Sequence, residues 1–479
     1  MTRLRGFFMT VRTRFSPSPT GHLHIGGART TLFSALYAAK YHGHFILRIE
    51  DTDVVRSNDA FVESQTQDLH WLDIHWQEGP EVGGDYGPYW QSKRQDIYNQ
   101  YYDILEKQQL IYPCFCSDQE LLLARKIQLS RGLAPRYSGT CRKLSQAEIN
   151  DRIQNGNKPA WRFIVPKDTS IRFVDAVKGE QQFQSNDIGD FIIRRADGSA
   201  PFLFCNAIDD ALMKMTHVIR GEDHLANTPR QILLLNTLKL SVPQYAHLAL
   251  IVGEDGSKLS KRHGSVSVGE MREQGYLSIA IINYLARLGH ACDTQELLAF
   301  QKLAQHFYLE KISKSPARFD TNQLLFWQKL AVQAQDQVAL MQWIGPSILK
   351  QVPALQQNLF LETIQKNIVF PHDALEWANI FFHDQINIDD VGLQTIREAG
   401  ENFFVQAQLL VDKYGTELPT LLNEMKQTLS VNGKKLFMPL RMALTGKLHG
   451  PELAPIASLL GKEKMKHRFA QALQRINDK

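Results

Sequence analysis

The chain has 479 residues, 43% hydrophobic and 22% charged, with a formal net charge of +4, an ordinary balance for a soluble globular protein of about three domains. No run of about 18 apolar residues occurs, which argues against a helical membrane span, and the basic start "MTRLRGFF" lacks the apolar core of an export signal. Five cysteines, an odd number, argue against a disulfide framework and for a reducing, cytoplasmic setting.

Met9 stands just before the first strand-like run, so residues 1–8 read as a dispensable extension or as a start codon assigned too early. "VRTRF" (Val11 to Phe15) is a short strand and "PSPTGHLHIGG" a Pro/Gly turn. From Ala28 the spacing of Ala28, Leu32, Ala35, Leu36 and Ala39 predicts a helix. "HFILRIEDTD" is an apolar strand ending in acids. Strand, Gly-rich turn, helix, strand predicts a parallel α/β nucleotide-binding unit. The stretch from Pro113 to Ala211 interrupts it, bringing Cys114, Cys116, Cys141 and β-like runs such as "PAWRFIVP" and "DFIIRR". The α/β pattern resumes in "MTHVIRGEDH" and in "YAHLALIVGEDGSKLSKRHGS", a strand running into a loop. After Val266 the pattern is mostly helical, clearest in "LSIAIINYLARLG" and "IASLLGKEKMKHRFAQALQRI". From Ser430 to the end, ten Lys/Arg stand against three Asp/Glu, which points to a polyanion partner; a solvated helical surface is the plain alternative.

Two stretches carry chemistry. "SPTGHLHIGGART" opens a helix after a strand. The N–H groups of such a helix start attract phosphate, glycine allows close approach, and His24 can donate to a phosphate oxygen. "DGSKLSKRHGS" packs Lys258, Lys261 and Arg262 around Ser260 on a Gly-flanked loop, suited to close over a triphosphate and neutralise its charge. Either alone reads as surface; both at strand-to-loop edges of one α/β pattern are far more specific.

"HIGG" and "KLSKR" resemble the HIGH and KMSKS signatures of class I aminoacyl-tRNA synthetases. With "RFSPSPTGHLHIGGART", "FILRIEDTD", "EGPEVGGDYGPYWQS", "THVIRGEDHLANTPRQILL" and "GSKLSKRHG", the chain resembles bacterial glutamyl-tRNA synthetases over residues 12–264. "PLRMALTGKLHGPEL" is the best local match in the helical half. The resemblance implies a Rossmann-type parallel-sheet catalytic domain (9–112 and 212–265), an inserted α+β acceptor-stem-binding domain (113–211), a helical stem-contact domain (266–330) and an all-α anticodon-binding region (331–479). It implies a monomer that uses ATP with Mg²⁺ to ligate L-glutamate to tRNA(Glu) through a glutamyl adenylate.

The resemblance also implies roles. Glutamate would meet Arg14 and Arg220 with a carboxylate and Glu50 with its ammonium, beside Ser16, Ser18, Phe202 and Asn206. ATP would meet His24, Gly26, Gly27, Asp223, His224, Lys258, Ser260, Lys261 and Arg262, with His24, Lys258 and Lys261 stabilising the transition state. The plain reading of Arg14 and Glu50 is a structural ion pair. Asp209, Asp210, Glu222 and Asp223 read as strand-end acids that cap helices or pair with bases, Asp51 and Asp53 as turn stabilisers, and His22 as peripheral. Phe202 departs from the family, where a tyrosine hydroxyl helps hold the substrate. Cys114, Cys116 and Cys141 resemble the family's Zn²⁺ site. Lys143 stands where relatives have a histidine ligand, so Tyr137 in "YSGTC" is the substitute donor; three free thiols is the plain alternative. Cys205 and Cys292 read as buried apolar residues. Asn379, in "EWANIFF", replaces an arginine that discriminates between tRNAs in some relatives, which leaves tRNA(Gln) open as a second partner. Two further readings compete: a relative that glutamylates a tRNA base, which would lack the helical half, and a decayed, non-catalytic scaffold, which would have lost His24 or the lysines.

Overall fold

The computed structural model describes residues 10–53, 57–257, 259 and 267–477. They form two compact units: residues up to 272 with 281–321, and 273–280 with 322 onward. The first opens with β1 (Arg12–Phe15), α1 (Ile25–Lys40) and β2 (His44–Leu47), followed by α2 (Asp59–Trp71) and α3 (Gln95–Lys107). β1 and β2 pair in parallel, Arg12 with His44 through Phe15 with Leu47. α1 starts at Ile25, three residues before the periodicity predicts, because His24 caps it.

The segment that interrupts the pattern is α+β. β3 (Ile111–Cys114) precedes α4 (Asp118–Ser130) and α5 (Gln146–Gln154), each opened by a reciprocal Ser/Glu capping box, Ser117 with Glu120 and Ser145 with Glu148. Then come β4 (Ala160–Phe163), β5 (Ser170–Asp175), β6 (Gly179–Gln184), the short α6 (Ser185–Ile188), β7 (Phe191–Arg194) and α7 (Phe202–Leu212). β3, β4 and β7 form an antiparallel sheet in that order, and β5 and β6 an antiparallel hairpin. Phe163 and Phe191 join Tyr98, Phe204, Val218 and Leu234 in one hydrophobic core, so the segment folds against the parallel strands as part of the first unit.

β8 (His217–Gly221), α8 (Thr228–Thr237) and β9 (Gln244–Leu248) complete a second parallel pair, His217 with Gln244 through Gly221 with Leu248. Thr216 N–H donates to Arg12 C=O at 3.0 Å, which joins β8 to the start of β1, and bridges from Ile46 to Glu78 and Ile49 to Trp90 extend the opposite edge. These strands are buried along most of their length, as parallel strands covered on both faces must be. β10 (Ile251–Val252) pairs in parallel with β11 (Ala317–Arg318).

The second unit is all-helical among the described residues. Arg468, 1% exposed, donates to Leu444 C=O (3.0 Å), Ile380 C=O (2.6 Å) and His383 C=O (2.9 Å), so one cation closes the C-terminal ends of two helices. The last helix, Leu453–Asn477, breaks at Gly461, whose φ of 70° falls in the left-handed region. Much of the basic tail is spent inside this unit: Lys462 and Lys466 face Asp412, Lys464 faces Asp384, and Lys447 faces Glu376. Among the described residues no helix is long and apolar enough to cross a membrane.

Candidate active site

The strand-to-helix turn builds one wall. His24 is extended (φ −89°, ψ 163°) and is the N-cap of α1, its Nδ1 accepting from Gly27 N–H at 3.3 Å. With Nδ1 an acceptor, the ring proton sits on Nε2, a donor. A Cβ at Gly26 would come within 3.2 Å of the imidazole, so glycine lets the ring fold back over the helix start. The first turn of α1 carries no acidic residue, leaving its dipole open to an anion. Val268 N–H donates to Leu23 C=O at 2.8 Å and Ser267 bridges to His24. Lys258, Ser260, Lys261 and Arg262 lie outside the described residues, as do residues 1–8.

One cavity of about 640 Å³ collects Arg14, Ser16, Ser18, His24, Gly26, Gly27, Glu50, Phe202, Asn206, Arg220, Asp223 and His224, within the size range of small-molecule sites. Every predicted glutamate-site residue lines it, with every described residue predicted for ATP. Five places supply them: β1 and the turn after it, the start of α1, the stretch after β2 that carries Glu50, α7, and the end of β8. His22 is outside it, bonded to Ser64 (2.9 Å) and set edge-on to Phe61.

The floor is a buried charge chain. Arg14 forks onto Asp210 (3.1 and 3.4 Å), Arg48 reaches Asp210 at 2.9 Å and Asp209 at 3.9 Å, and Asp209 also binds Arg94 at 2.7 Å. Asp209 and Asp210 lie within α7, not at a strand end as the sequence reading had them, and they pair with bases as that reading expected. Burial would raise the Asp210 carboxyl, but Arg14 and Arg48 hold it below its usual range. Asn206 is fully buried, accepting from Arg48 Nη2 at 2.9 Å and donating to Glu50. Glu50 makes no ion pair among the described residues; burial pushes its carboxyl up to about 7, against the pull of Arg48 and the Asn206 bond.

Arg220 is different. It is 5% exposed; Nη2 donates to Thr228 Oγ1 (2.7 Å) and Gln231 Oε1 (2.8 Å), and Nε to His247 Nε2 (3.2 Å). All three partners are uncharged, and Nη1 is buried with no partner. Burial lowers its pKa to about 10, so it stays charged at neutral pH. Ser16 Oγ is likewise buried and unpartnered in the same cavity. An unmet donor on a buried cation, beside an unmet hydroxyl, calls for an anion. Phe202 stacks at a tilt on His224, centroids 5.0 Å apart, and burial with the nearby Arg220 charge lowers His224 to about 4.

Residues 10–326 match the family of class I tRNA synthetases (E and Q), catalytic domain. The chain belongs to the class I tRNA synthetases (E and Q). Residues 329–473 of this synthetase match an anticodon-binding domain. It is 50% identical over 464 residues to glutamate–tRNA ligase 2 of Coxiella burnetii, covering 97% of this chain and 100% of that protein. To glutamate–tRNA ligase 2 of Nitrosococcus oceani it is 51% identical over 459 residues, covering 96% and 97%. It is also similar to the crystal structure of a glutamate tRNA ligase from Elizabethkingia meningosepticum in complex with its amino acid, with TM-score 0.86, 29% identity and coverage of 97% and 99%. The glutamate-tRNA synthetase structure from Elizabethkingia anophelis gives TM-score 0.87 at 29% identity, covering 97% and 100%.

The synthetase's cysteine cluster lies apart from this cavity. The sulfurs of Cys114, Cys116 and Cys141 all lie within 4.8 Å of one another, with Cys116 and Cys141 at 3.6 Å. Three thiolates on one tetrahedral ion at about 2.3 Å would stand roughly 3.8 Å apart, so the three sulfurs fit. The Tyr137 hydroxyl stands 3.4 Å from Cys114 Sγ and 3.5 Å from Cys116 Sγ, accepts from Cys141 N–H at 2.9 Å, and its ring sits under Arg162 at 3.7 Å. Burial and the three thiols raise its pKa far above the usual phenol, so the proton stays on oxygen unless a cation displaces it. Cys205 is fully buried, but Cys292 is only half-buried.

Sequence reasoning missed Asp175, His247, Thr228 and Gln231 around Arg220, and Arg29, which lines the cavity and donates to Ala249 C=O. Asp175 and His247 are far apart in sequence, and no spacing rule pairs them. Asp51, read as a stabiliser of its own turn, instead ties the stretch after β2 to a distant segment, accepting from Ser92 N–H at 2.8 Å.

Proposed function

We propose that the chain ligates L-glutamate to the 3′ end of tRNA(Glu), consuming ATP and releasing AMP and pyrophosphate by way of a bound glutamyl adenylate. The observation that carries this is Arg220, a buried cation with an unmet Nη1 and only neutral partners. One glutamate carboxylate completes it, with Ser16 Oγ as a second donor, and Arg14 adds positive potential from behind Asp210. Glu50 takes the ammonium, whose charge draws the proton off the carboxyl. The other carboxylate then faces the start of α1, where ATP lies along "HIGG" with its α-phosphate near His24 Nε2. That carboxylate attacks the α-phosphorus and pyrophosphate leaves. A terminal ribose hydroxyl of the tRNA then attacks the adenylate carbonyl and AMP leaves. The protein positions reactants and neutralises charge, and no covalent enzyme intermediate is needed.

Lys258, Ser260, Lys261 and Arg262 are assigned to the ATP phosphates on the motif they form. Mg²⁺ accompanying ATP would offset the phosphate charge alongside these residues and would need no all-protein cage. Cys114, Cys116 and Cys141, with Tyr137 as fourth donor, would hold Zn²⁺ as a structural ion that ties β3 to the Tyr137–Cys141 loop. The chain acts in the cytoplasm as a monomer.

The test is charging of purified glutamate and glutamine tRNAs with radiolabelled glutamate by wild type, Arg220→Met and Lys261→Ala. Wild type charges tRNA(Glu); Arg220→Met loses about 10- to 100-fold in kcat/KM for glutamate, the range for a hydrogen bond to a charged group. Charging of tRNA(Gln) as well would assign relaxed specificity, the reading that Asn379 leaves open. Charging of neither tRNA would overturn the proposal.

A further inference from the structure

The β5–β6 hairpin lies outside the parallel strands, yet its turn is fastened to them. Ala176 N–H donates to Tyr245 C=O at 2.8 Å, and Lys178 pairs with Glu222, which accepts from Leu250 N–H at 3.0 Å. Asp175 is the buried end of that hairpin, 1% exposed. Its Oδ1 accepts from Val177 N–H (3.0 Å) and Lys178 N–H (2.8 Å), and its Oδ2 meets His247 Nδ1 at 2.6 Å. His247, fully buried, has its other nitrogen 3.2 Å from Arg220 Nε and 3.0 Å from Thr228 Oγ1.

These contacts fix a proton. A carboxylate at 2.6 Å from Nδ1 requires Nδ1–H. Nε2 is then a lone pair, the only form that can accept from the Arg220 Nε–H. With the proton on Nε2, two donors would face each other at 3.2 Å and the guanidinium would have to turn away. With Nε held by His247 and Nη2 by Thr228 and Gln231, the planar fork has no rotation left, and Nη1 is the edge that remains unmet on a residue lining the cavity.

We propose that Asp175 and His247 are positioning residues for Arg220: the carboxylate sets the histidine tautomer, the histidine fixes Nε, and together they aim Nη1 at the substrate carboxylate. This rests on the reading of Arg220 as the carboxylate-binding residue. It assigns a substrate-binding task to a hairpin that the sequence places in a separate segment, and it acts on one substrate only. ATP meets the start of α1 through His24, Gly26 and Gly27, and none of its assigned contacts runs through Asp175 or His247.

The test uses the full chain and two readouts. Steady-state charging with glutamate and ATP varied separately is measured for wild type, His247→Leu and His247→Gln, each checked by thermal melting. His247→Leu is expected to raise the glutamate KM by about tenfold with the ATP KM unchanged. His247→Gln, whose Oε1 can accept from Arg220 Nε, is expected to recover most of that loss. A folded His247→Leu with an unchanged glutamate KM, a parallel rise in both KM values, or a Gln variant no better than Leu would each overturn the proposal. Second, ¹⁵N NMR of histidine-labelled wild type is expected to show His247 neutral, with Nδ1 protonated and Nε2 bare; a proton on Nε2 overturns the relay. This second readout needs no substrate and no variant. A wild type that charges no glutamate while His247 shows the expected tautomer would therefore sink the proposed function and leave the relay standing.

Discussion

Glu50 makes the sharpest prediction because its pKa falls in the working range. Burial lifts the carboxyl from 4.5 to about 7 in the empty site. If glutamate binds only when Glu50 is ionised, the apparent affinity scales with the ionised fraction. That fraction is about one half at pH 7, about a tenth at pH 6 and about nine tenths at pH 8. The glutamate KM should therefore rise about fivefold from pH 7 to 6 and fall about twofold from pH 7 to 8. The ATP KM should stay nearly flat, since His224 titrates far lower, near 4. Glu50→Gln should bind glutamate poorly and lose the pH dependence. The same shift acts on stability with the opposite sign. A carboxyl raised in the folded state favours its neutral form, so its contribution is complete below pH 4.5 and is lost as pH rises to about 7. The loss is at most about 3 kcal/mol, at 1.36 kcal/mol per unit. Ligand-free Glu50→Gln should thus melt higher than wild type at pH 8 and much like it at pH 5. A glutamate KM that is flat from pH 6 to 8, or equally sloped in wild type and Glu50→Gln, would refute the assignment of Glu50 to the ammonium.

Three further outcomes follow from named contacts. Phe202→Tyr returns a hydroxyl to the cavity wall and should lower the glutamate KM about two- to tenfold, the worth of one net hydrogen bond; an unchanged KM would show that His224, stacked on the ring, already fills that role. Cys116→Ser should remove the zinc that wild type retains after dialysis, read by metal analysis at about one ion per wild-type chain, and metal-free wild type would refute the site. Arg468→Met leaves the buried carbonyls of Leu444 and Ile380 unmet, so it should destabilise the helical unit by about 3 kcal/mol, seen in denaturant unfolding; a shift below about 1 kcal/mol would mean that the helix ends relax onto other donors.

Much of the parallel fold was legible because its strands are short apolar runs, such as "HFIL" and "YAHL", bounded by polar turns. The candidate cavity was legible because its residues sit in motifs at strand ends, where the α/β pattern itself puts ligands. Three features were not legible, each for a physical reason. The start of α1 depended on a histidine acting as N-cap, which periodicity does not register. The basic tail suggested a free polyanion surface, but Arg468 is buried and several lysines are paired with acids from earlier helices that a local charge count cannot see. His247, which holds Arg220 Nε, is itself held by Asp175 on a hairpin 72 residues away, and only the fold brings them together.

The charge pattern around the cavity also argues for a dicarboxylate over its amide. Asp209 and Asp210 are consumed by Arg14, Arg48 and Arg94, so the floor is locked before any substrate arrives, with its two acids already paired. Among the described cavity residues, Arg220 has only neutral partners and an unmet Nη1, and Glu50 makes no ion pair. A substrate that brings one carboxylate and one ammonium satisfies both at once. An amide in place of the carboxylate would turn a dipole to Arg220 and leave the cation buried without a counter-charge, and its NH₂ would add a donor beside Nη1, which is already a donor. Sites that reject an analogue by leaving their own buried groups unmet discriminate far more strongly than sites that sense size. The relay from Asp175 strengthens this, because a fork that cannot rotate cannot turn its donors away from the wrong substrate.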